Sequence, residues 1–430
     1  MNRNIKSSLS YPQAWKSYKL KDLANGTSSS FTDGDWIESP YITDNGIRLV
    51  QTGNIGDGHF KNKNKKFISD ESFRLLKCKE IFVGDILICR LADPIGRTCI
   101  LPDLKSRAIT SVDITIFRPD SKKVIDKFIV QLLNFYQVRK RLTELSGGST
   151  RQRISRSNLG NLELVIPSRK EQFFIANILG ALDEKVLVIE TLLEQTNFLK
   201  KGLMQQLLTK GIGHTKFKSS HLGEIPESWE VSNIGELATL NPGKIVMDNS
   251  DDVSFIGMTD VSEDAKLISD HRRKYNEVSK GFTCFKDDDV ILAKITPCFE
   301  NGKGALIEGL INGVGFGSTE FHVIRVGDNA LKEFIYYHTI STEFRLKGER
   351  NMTGSAGQRR VPRQFVENYP IGLPPLHEQR KIVEILGTVD KKLAILNEKK
   401  GKTELLKRGL MQQLLTGKIR VKVDEEVPIS

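Results

Sequence analysis

Apolar residues follow two kinds of pattern along this chain, and the two alternate. From Ile175 onward they recur in heptads. Ile175, Leu182, Ile189, Thr196 and Leu203 hold one position, and Ile178, Lys185, Leu192, Leu199 and Gln206 hold another. A second stretch repeats the frame, with Ile382, Val389, Leu396, Thr403 and Leu410 beside Ile385, Lys392, Lys399, Leu406 and Gln413. A seven-residue repeat predicts a long helix that buries one stripe against a partner helix, with polar positions in the stripe fixing the register. The first helix is predicted to start after Pro167, where Ser168 and Glu171 have capping-box spacing. The second starts at Pro375, whose fixed φ suits a first turn. Both are predicted to stop near a glycine, Gly211 and Gly417.

Upstream of each helix the pattern shortens. Residues 111–118 (SVDITIFR) alternate, and 85–90 (DILICR) and 289–294 (DVILAK) are compact β-prone runs. Glycine-rich turns such as 52–58 separate them, and short helices are predicted at 125–143 and 331–347. The pattern therefore gives two heads of small mixed or antiparallel β-sheet with helices, each followed by a long helix: an α+β chain.

The alternation is a literal duplication. Residues 202–209 and 409–416 both read GLMQQLLT, at an offset of 207. At that offset Glu171-Gln172 falls on Glu378-Gln379, and Asp183 on Asp390. Upstream the match weakens but persists: 318–325 (STEFHVIR) answers SVDITIFR, and Ile225-Pro226-Glu227-Ser228-Trp229 answers Tyr11-Pro12-Gln13-Ala14-Trp15. Gly148-Ser149 with Gln152-Arg153 resembles Gly354-Ser355 with Gln358-Arg359. The boundaries read as a first head at 1–167, helix 168–211, a second head with its leading segment at 212–374, helix 375–417 and a tail at 418–430. If the helices pair antiparallel, the heads are related by a pseudo-two-fold axis at the ends of a rod. About 38 residues at 1.5 Å each make that rod roughly 57 Å long. Gly180/Gly387 and Gly202/Gly409 lie inside the helices of both copies, at a cost of about 1 kcal/mol each relative to alanine.

Charge sharpens the picture. Sixty-four Lys and Arg against 53 Asp and Glu leave a net +11, which favours a polyanionic partner. The five cysteines, Cys78, Cys89, Cys99, Cys284 and Cys298, have no CxxC spacing, which fits a reducing cytosol and excludes a zinc ribbon. No apolar run reaches the roughly 20 residues of a membrane span, so a cytoplasmic protein is expected. Catalytic patterns are missing: no phosphate-binding loop, no nucleophile elbow, no HExxH. The seven histidines are scattered, and Asn241-Pro242-Gly243 lacks the second proline and aromatic of an amino-methyltransferase motif. Asp287-Asp288-Asp289 reads as a turn leading into a strand. No catalytic residue, metal or cofactor is expected.

Basic clusters carry the remaining signal. Residues 139–156 hold six basic side chains against Glu144, and 345–363 hold six against Glu349. Both include a Gly-Ser loop ahead of a Gln-Arg pair, a chemistry that brings backbone N–H groups and arginines close to phosphates. The candidate DNA-contacting residues are Arg151, Gln152, Arg153 and Arg156 in the first head and Gln358, Arg359, Arg360 and Arg363 in the second. Lys65 and Lys66, and Arg272 and Arg273, form a second pair of clusters. Arg153 and Arg359 are read as the shared phosphate contacts.

The twin GLMQQLLT ends, the EQ-x5-ILG-x2-D helix starts and the segment 222–229 (LGEIPESW) together resemble the specificity subunits of Type I restriction-modification systems. The resemblance covers nearly the whole chain, although residues 11–15 lack the full LGEIPESW text. It implies a target-recognition domain in each head, an asymmetric bipartite site in double-stranded DNA, and an antiparallel helical rod as spacer. It also implies two docked methyltransferase subunits, which flip the target adenine and supply S-adenosylmethionine chemistry, and further motor-nuclease subunits. The residues expected to build the rod and receive partners are Leu182, Ile189, Leu199, Leu203 and Met204 in the first helix, with Val389, Leu396, Leu406, Leu410 and Met411 in the second. Two other classes fit the residues alone: a stand-alone DNA-binding regulator, and a coiled-coil scaffold without DNA affinity.

Overall fold

The structure is a computed structural model, and it describes residues 11–91, 94–148, 152–355 and 357–422. It resolves into two compact units, Met1–Thr191 with Glu398–Ser430, and Leu192–Asn397. Each contains one head, the first part of the helix that follows it, and the last part of the other long helix.

In the first unit a four-stranded antiparallel sheet runs in the order Phe31–Asp33, Ile114–Phe117, Ile86–Cys89, Thr98–Ile100. A mixed sheet runs Ile42–Thr43, Lys66–Ile68, Ile47–Val50, Ala108–Thr110, Glu80–Ile81, with one parallel pair, Ile47–Val50 against Ala108–Thr110. The strands Lys16–Lys19 and Glu163–Ile166 pair antiparallel and bring the start and end of the head together, immediately before the long helix Arg169–Lys210.

The second unit repeats this topology. Its antiparallel sheet runs Ala238–Leu240, Phe321–Val326, Val290–Ala293, Gly304–Leu306, and its mixed sheet runs His271–Lys274, Asp252–Ile256, Val314–Gly317, Thr283–Lys286. The parallel pair is again present, Asp252–Ile256 against Val314–Gly317. Glu230–Asn233 pairs with Pro370–Leu373 ahead of the helix Leu376–Leu414. The LGEIPESW text forms part of a hairpin, Phe217–Ser220 with Gly223–Pro226. Each predicted short helix is in fact two. Asp126–Asn134 breaks at Phe135, which is extended, before Tyr136–Glu144; Lys332–Thr339 gives way to Thr342–Arg350, capped by the Ser341 hydroxyl.

The repeated text DILICR/DVILAK and SVDITIFR/STEFHVIR encodes one buried lock. Arg118 donates Nε and Nη2 to the two carboxylate oxygens of Asp85 at 2.7 and 2.8 Å. Arg325 does the same to Asp289 at 2.8 and 2.7 Å. Each aspartate also accepts the backbone N–H three residues before it, from Phe82 and Lys286. A planar fork matched to two oxygens is the strong form of ion pair. It ties adjacent strands of the antiparallel sheet at the same place in both heads. Asp288, in the turn that leads into the strand, has a φ of 74°.

The two long helices pair antiparallel within each unit. In the first, Lys400 meets Glu190 at 2.7 Å, Lys407 meets Asp183 at 2.5 Å and Arg420 meets Glu171 at 2.6 Å, so residue numbers rise on one helix as they fall on the other. In the second, Lys200 meets Asp390 at 2.7 Å and the Ile212 N–H meets Glu378 at 3.1 Å.

The buried stripe differs from the expected one. Ile175, Leu179, Ile189 and Thr196 are buried and Leu182, Val186, Leu193 and Lys200 are half-buried, a four-three spacing that continues the heptad. The second expected line is exposed: Ile178 and Leu192 by 39% and 38%, Leu199 and Leu406 by 51% and 54%. Lys185, Lys392 and Lys399 sit on that line, and their charge belongs in water. Of the expected polar positions in the seam, only Thr196 and Thr403 are buried in it.

The helix ends complete the heads. Met411, Leu414 and Leu415 lie in one core with Leu20, Phe128 and Ile166 of the first head. Met204, Leu207 and Leu208 lie in one core with Trp229, Phe334 and Ile371 of the second. The two GLMQQLLT segments therefore fill equivalent seats. The glycines that follow them are left-handed, with φ of 64° at Gly211 and 71° at Gly417. Each also abuts a tryptophan: a Cβ would lie 2.7 Å from Trp229 at Gly211 and 3.2 Å from Trp15 at Gly417. Ser168 caps the first helix, accepting the Glu171 N–H at 3.4 Å, but the Glu171 carboxylate turns to Arg420 instead of completing the box. Among the described residues no helix is long and apolar enough to cross a membrane, no group of side chains could hold a metal ion, and all five cysteines are free.

Candidate nucleic-acid interface

In the first head the antiparallel sheet has the Asp85–Arg118 lock at one end. At the other end, Arg90 follows the strand Ile86–Cys89 and its N–H bonds the Asp113 carbonyl at 2.8 Å. The buried Arg90 side chain donates to the carbonyls of Ile154 and Val112 at 3.1 and 2.6 Å, and pairs with Asp33 at 3.0 Å. Ile154 N–H returns a bond to the Arg90 carbonyl. The arginine-bearing loop is thus stitched to the sheet, and Arg153 leaves it at a fixed point, exchanging backbone bonds with Gly147. Its guanidinium reaches Asp113 at 3.0 Å while remaining 43% exposed.

The second head builds the same corner. Val361 N–H bonds the Lys294 carbonyl, Lys294 N–H bonds the Glu320 carbonyl, and Arg360 exchanges backbone bonds with Thr353. Arg360 forks onto Glu320, with Nη2 at 2.8 Å and Nε at 3.0 Å. Hydrogen bonding to Arg360 holds the Glu320 carboxyl below its ordinary value, against the opposing effect of burial. This corrects the sequence reading. The partner of Arg153 is Arg360, not Arg359, and the partner of Asp113 is Glu320. The loop between the bridged residues is one residue longer in the second head: Gly147 and Thr353, like the Gly-Ser text, differ by 206, whereas Arg153 and Arg360 differ by 207, the offset of the helices.

The other candidates fall around these corners. Gln152 and Gln358 are exposed, and Arg151 lies outside the described residues. Arg359 is 3.8 Å from Glu300, Arg156 is 3.9 Å from Asp33, and Arg363 pairs with Glu367 within one helical turn. Lys65 and Lys66 lie at the start of the strand Lys66–Ile68, and Arg272 and Arg273 lie in His271–Lys274; these two strands occupy the same position in the two mixed sheets. Arg272 pairs with Asp252 at 3.3 Å, and Arg273 is exposed.

Several residues that sequence reasoning missed organise these clusters. Arg48, almost fully buried, donates to the Lys66 and Lys63 carbonyls, and Asn54 donates to the Lys61 and Lys63 carbonyls at 3.0 and 2.7 Å. The backbone is anchored inward, and Lys61, Lys63, Lys65 and Lys66 all remain exposed. Asp260 plays the matching part in the second head, accepting from Gly257 N–H, Ser269 and His271. A hollow of about 360 Å³ lies between the lysine loop and the arginine corner of the first head, lined among others by Asn64, Gln51, Trp36 and Asp113. The signal for Asp113 and Glu320 was present in the sequence, since both stand third in the aligned runs SVDITIFR and STEFHVIR.

The helix candidates separate into two sets. Ile189, Met204, Val389, Leu396 and Met411 are buried, and Leu182, Leu203 and Leu410 are half-buried, so these build the helix pair and the cores. Leu199 and Leu406 face outward. They belong to a set of exposed apolar residues at equivalent positions in both copies: Ile178 and Ile385, Val188 and Ile395, Phe198 and Leu405, Leu199 and Leu406.

The family model for the Type I restriction modification DNA specificity domain matches residues 12–197 and again 226–405. The Type I restriction enzyme EcoEI specificity subunit of Escherichia coli is 45% identical over 177 residues, which is 41% of this chain and 29% of that protein. For the EcoAI specificity subunit of Escherichia coli the identity is 44% over 164 residues, again less than a third of that protein, at 28%. The MjaVIII specificity subunit of Methanocaldococcus jannaschii is 26% identical over 440 residues, covering 96% of this chain and 95% of its own. Among solved structures, the S subunit of a Type I restriction-modification system from M. genitalium shares the fold, with a TM-score of 0.56 at 13% identity over 96% of this chain and 98% of that one.

Proposed function

Since the chain belongs to the family of Type I restriction-modification DNA specificity subunits, we propose that it is the DNA-reading part of such an assembly and carries out no reaction itself. The observation that carries this reading is the pair of arginine corners. Arg153 with Asp113 and Arg360 with Glu320 take the same backbone position on heads whose surrounding side chains differ. Shared cations suit what is common to every duplex, the phosphates, and divergent side chains suit what varies, the bases.

Residues 1–167 and 212–374 act as two target-recognition domains reading two unlike half-sites, and the helices 168–211 and 375–417 act as the spacer, with 418–430 as a tail. In the phosphate role, Arg153, Arg360, Lys65, Lys66, Arg272 and Arg273 contribute, with Arg151, Gln152, Arg156, Gln358, Arg359 and Arg363 around them. The ion pairs to Asp113 and Glu320 hold the two central guanidiniums in place before DNA arrives and are exchanged for phosphate oxygens on binding. The duplicated set of exposed apolar residues on the helices supports docking of two copies of one partner, the methyltransferase subunit, with motor-nuclease subunits added in the full assembly. Such a complex works in the cytoplasm, where its DNA is.

The test is a methylome. Deleting this gene should abolish adenine methylation at one asymmetric bipartite motif and leave other motifs intact. Gel shifts and pull-downs with and without a methyltransferase separate the alternatives: a stand-alone regulator binds specifically without it, and a scaffold binds no DNA. An unchanged methylome in an active host would overturn the proposal.

A further inference from the structure

The hollow of the first head is built differently from the surfaces around it. Its floor follows the ends of the parallel strands Ile47–Val50 and Ala108–Thr110. Trp36 stands at its edge, 69% exposed, with no hydrogen bond and no ring partner among the described residues. A lone exposed ring is ordinary on a protein surface; Trp36 is set apart by its place beside a polar hollow. Gln51 and Asn64 add two amides, and Asn64 is held at a left-handed φ of 48° in the anchored lysine loop. Lys63 and Lys65 flank it on one side, and Arg153, paired with Asp113, stands on the other.

Cations and an indole at the rim and amides inside, with the lining carboxylates Asp35 and Asp113 already paired to Lys79 and Arg153, suit a duplex, where phosphates run along the groove edges and base edges lie between them. A side-chain amide complements adenine in the major groove, its N–H donating to N7 and its oxygen accepting from the N6 amino group, and an aromatic face packs against a thymine methyl. The second head keeps the backbone and changes this chemistry. After its equivalent strand, Gly257-Met258-Thr259 stand where the first head has Gln51-Thr52-Gly53, and its segment 242–249 carries no tryptophan.

We propose that Trp36, Gln51 and Asn64 are the base-reading residues of the first head and set the sequence of one half-site only. The inference rests on the DNA-reading function above and deepens it. Its test uses the full chain with its methyltransferase partner and a library of randomised DNA duplexes, comparing the sequences selected by wild type, Trp36→Ala, Gln51→Ala, Asn64→Ala and Trp36→Phe. The alanine variants should lose preference at one or two positions of a single half-site, by about tenfold or more at each. The other half-site and the spacing should be unchanged, and Trp36→Phe should keep most of the wild-type preference. A motif unaltered in all three alanine variants would overturn the assignment. So would an equal loss over all sequences, which would mark these residues as phosphate contacts or supports of the fold; thermal melting distinguishes the latter. If wild type itself selects no bipartite motif, the DNA-reading function fails, and this inference with it.

Discussion

The indole nitrogen of Trp229 donates to Oε2 of Glu378 at 3.0 Å, while Oε1 of the same carboxylate takes the Ile212 N–H at 3.1 Å and lies 2.7 Å from Nε2 of His214. The tryptophan that ends the IPESW segment, the glutamate of the repeated EQ text and the residues just after the first long helix thus meet at one carboxylate. Burial by itself would raise the pKa of Glu378, but the bonds from His214, Ile212 and Trp229 outweigh it and hold the group below its ordinary value. A depressed carboxylate contributes stability that is fully present above its unfolded value, about 4.3, and is lost as pH falls through the folded one. Urea unfolding of the intact chain should therefore weaken between about pH 5 and pH 3, and Glu378→Gln should flatten that part of the profile. Glu378→Ala should cost about 3 kcal/mol at neutral pH, because it strands buried donors.

Arg153→Ala and Arg360→Ala should each weaken binding to all duplexes alike and reduce the slope of log affinity against log salt by about 1. Glu320→Gln should act in the opposite direction. It frees the Arg360 guanidinium, so non-specific affinity should rise, as read by gel shift at low salt. Arg359→Ala should have the smaller effect of the two neighbours.

The outward set on the helices gives a separable phenotype. Leu199→Asp with Leu406→Asp should cost about 1–2 kcal/mol at most, since both side chains are already half-exposed and the loss is mainly helix propensity. Co-purification with the methyltransferase should be lost in the same variant. Ile189→Asp should do the reverse and unfold the helix pair, because Ile189 is buried.

Removing residues 186–192 and 393–399 together takes one heptad from each helix and preserves the pairs Asp183–Lys407 and Lys200–Asp390. It removes about 10 Å of helix. The spacing between half-sites in the selected sequence should then fall by about three base pairs, at 3.4 Å each, with both half-site sequences unchanged. Removing the heptad from one helix alone should abolish binding by breaking the ion-pair register.

Duplication made most of the architecture legible. Wherever two copies kept the same text, as in DILICR and DVILAK or the two GLMQQLLT segments, the text proved to encode one contact made twice. The heptad frame was legible as a period but not as a direction. Periodicity gives spacing, and only the seats offered by each head decide that Leu179 turns inward and Ile178 outward. The Arg153 partner was misread because a one-residue loop difference is invisible until backbone bridges fix the frame. Trp36 was passed over because a lone aromatic in a loop has no period; its exposure is a property of the folded surface alone.

The two heads do not receive their last core residues at the same moment in the life of the chain. The second unit is one continuous segment, 192–397, and holds Met204, Leu207 and Leu208 in its core. The first unit needs Met411, Leu414 and Leu415, which a ribosome delivers only after the whole of the second unit. During synthesis every core residue of the second head is therefore available while the first still lacks part of its own. The missing part belongs to a sequence of which an identical copy, GLMQQLLT at 202–209, has already emerged. The first head can reach its final form only when the later copy, 409–416, arrives.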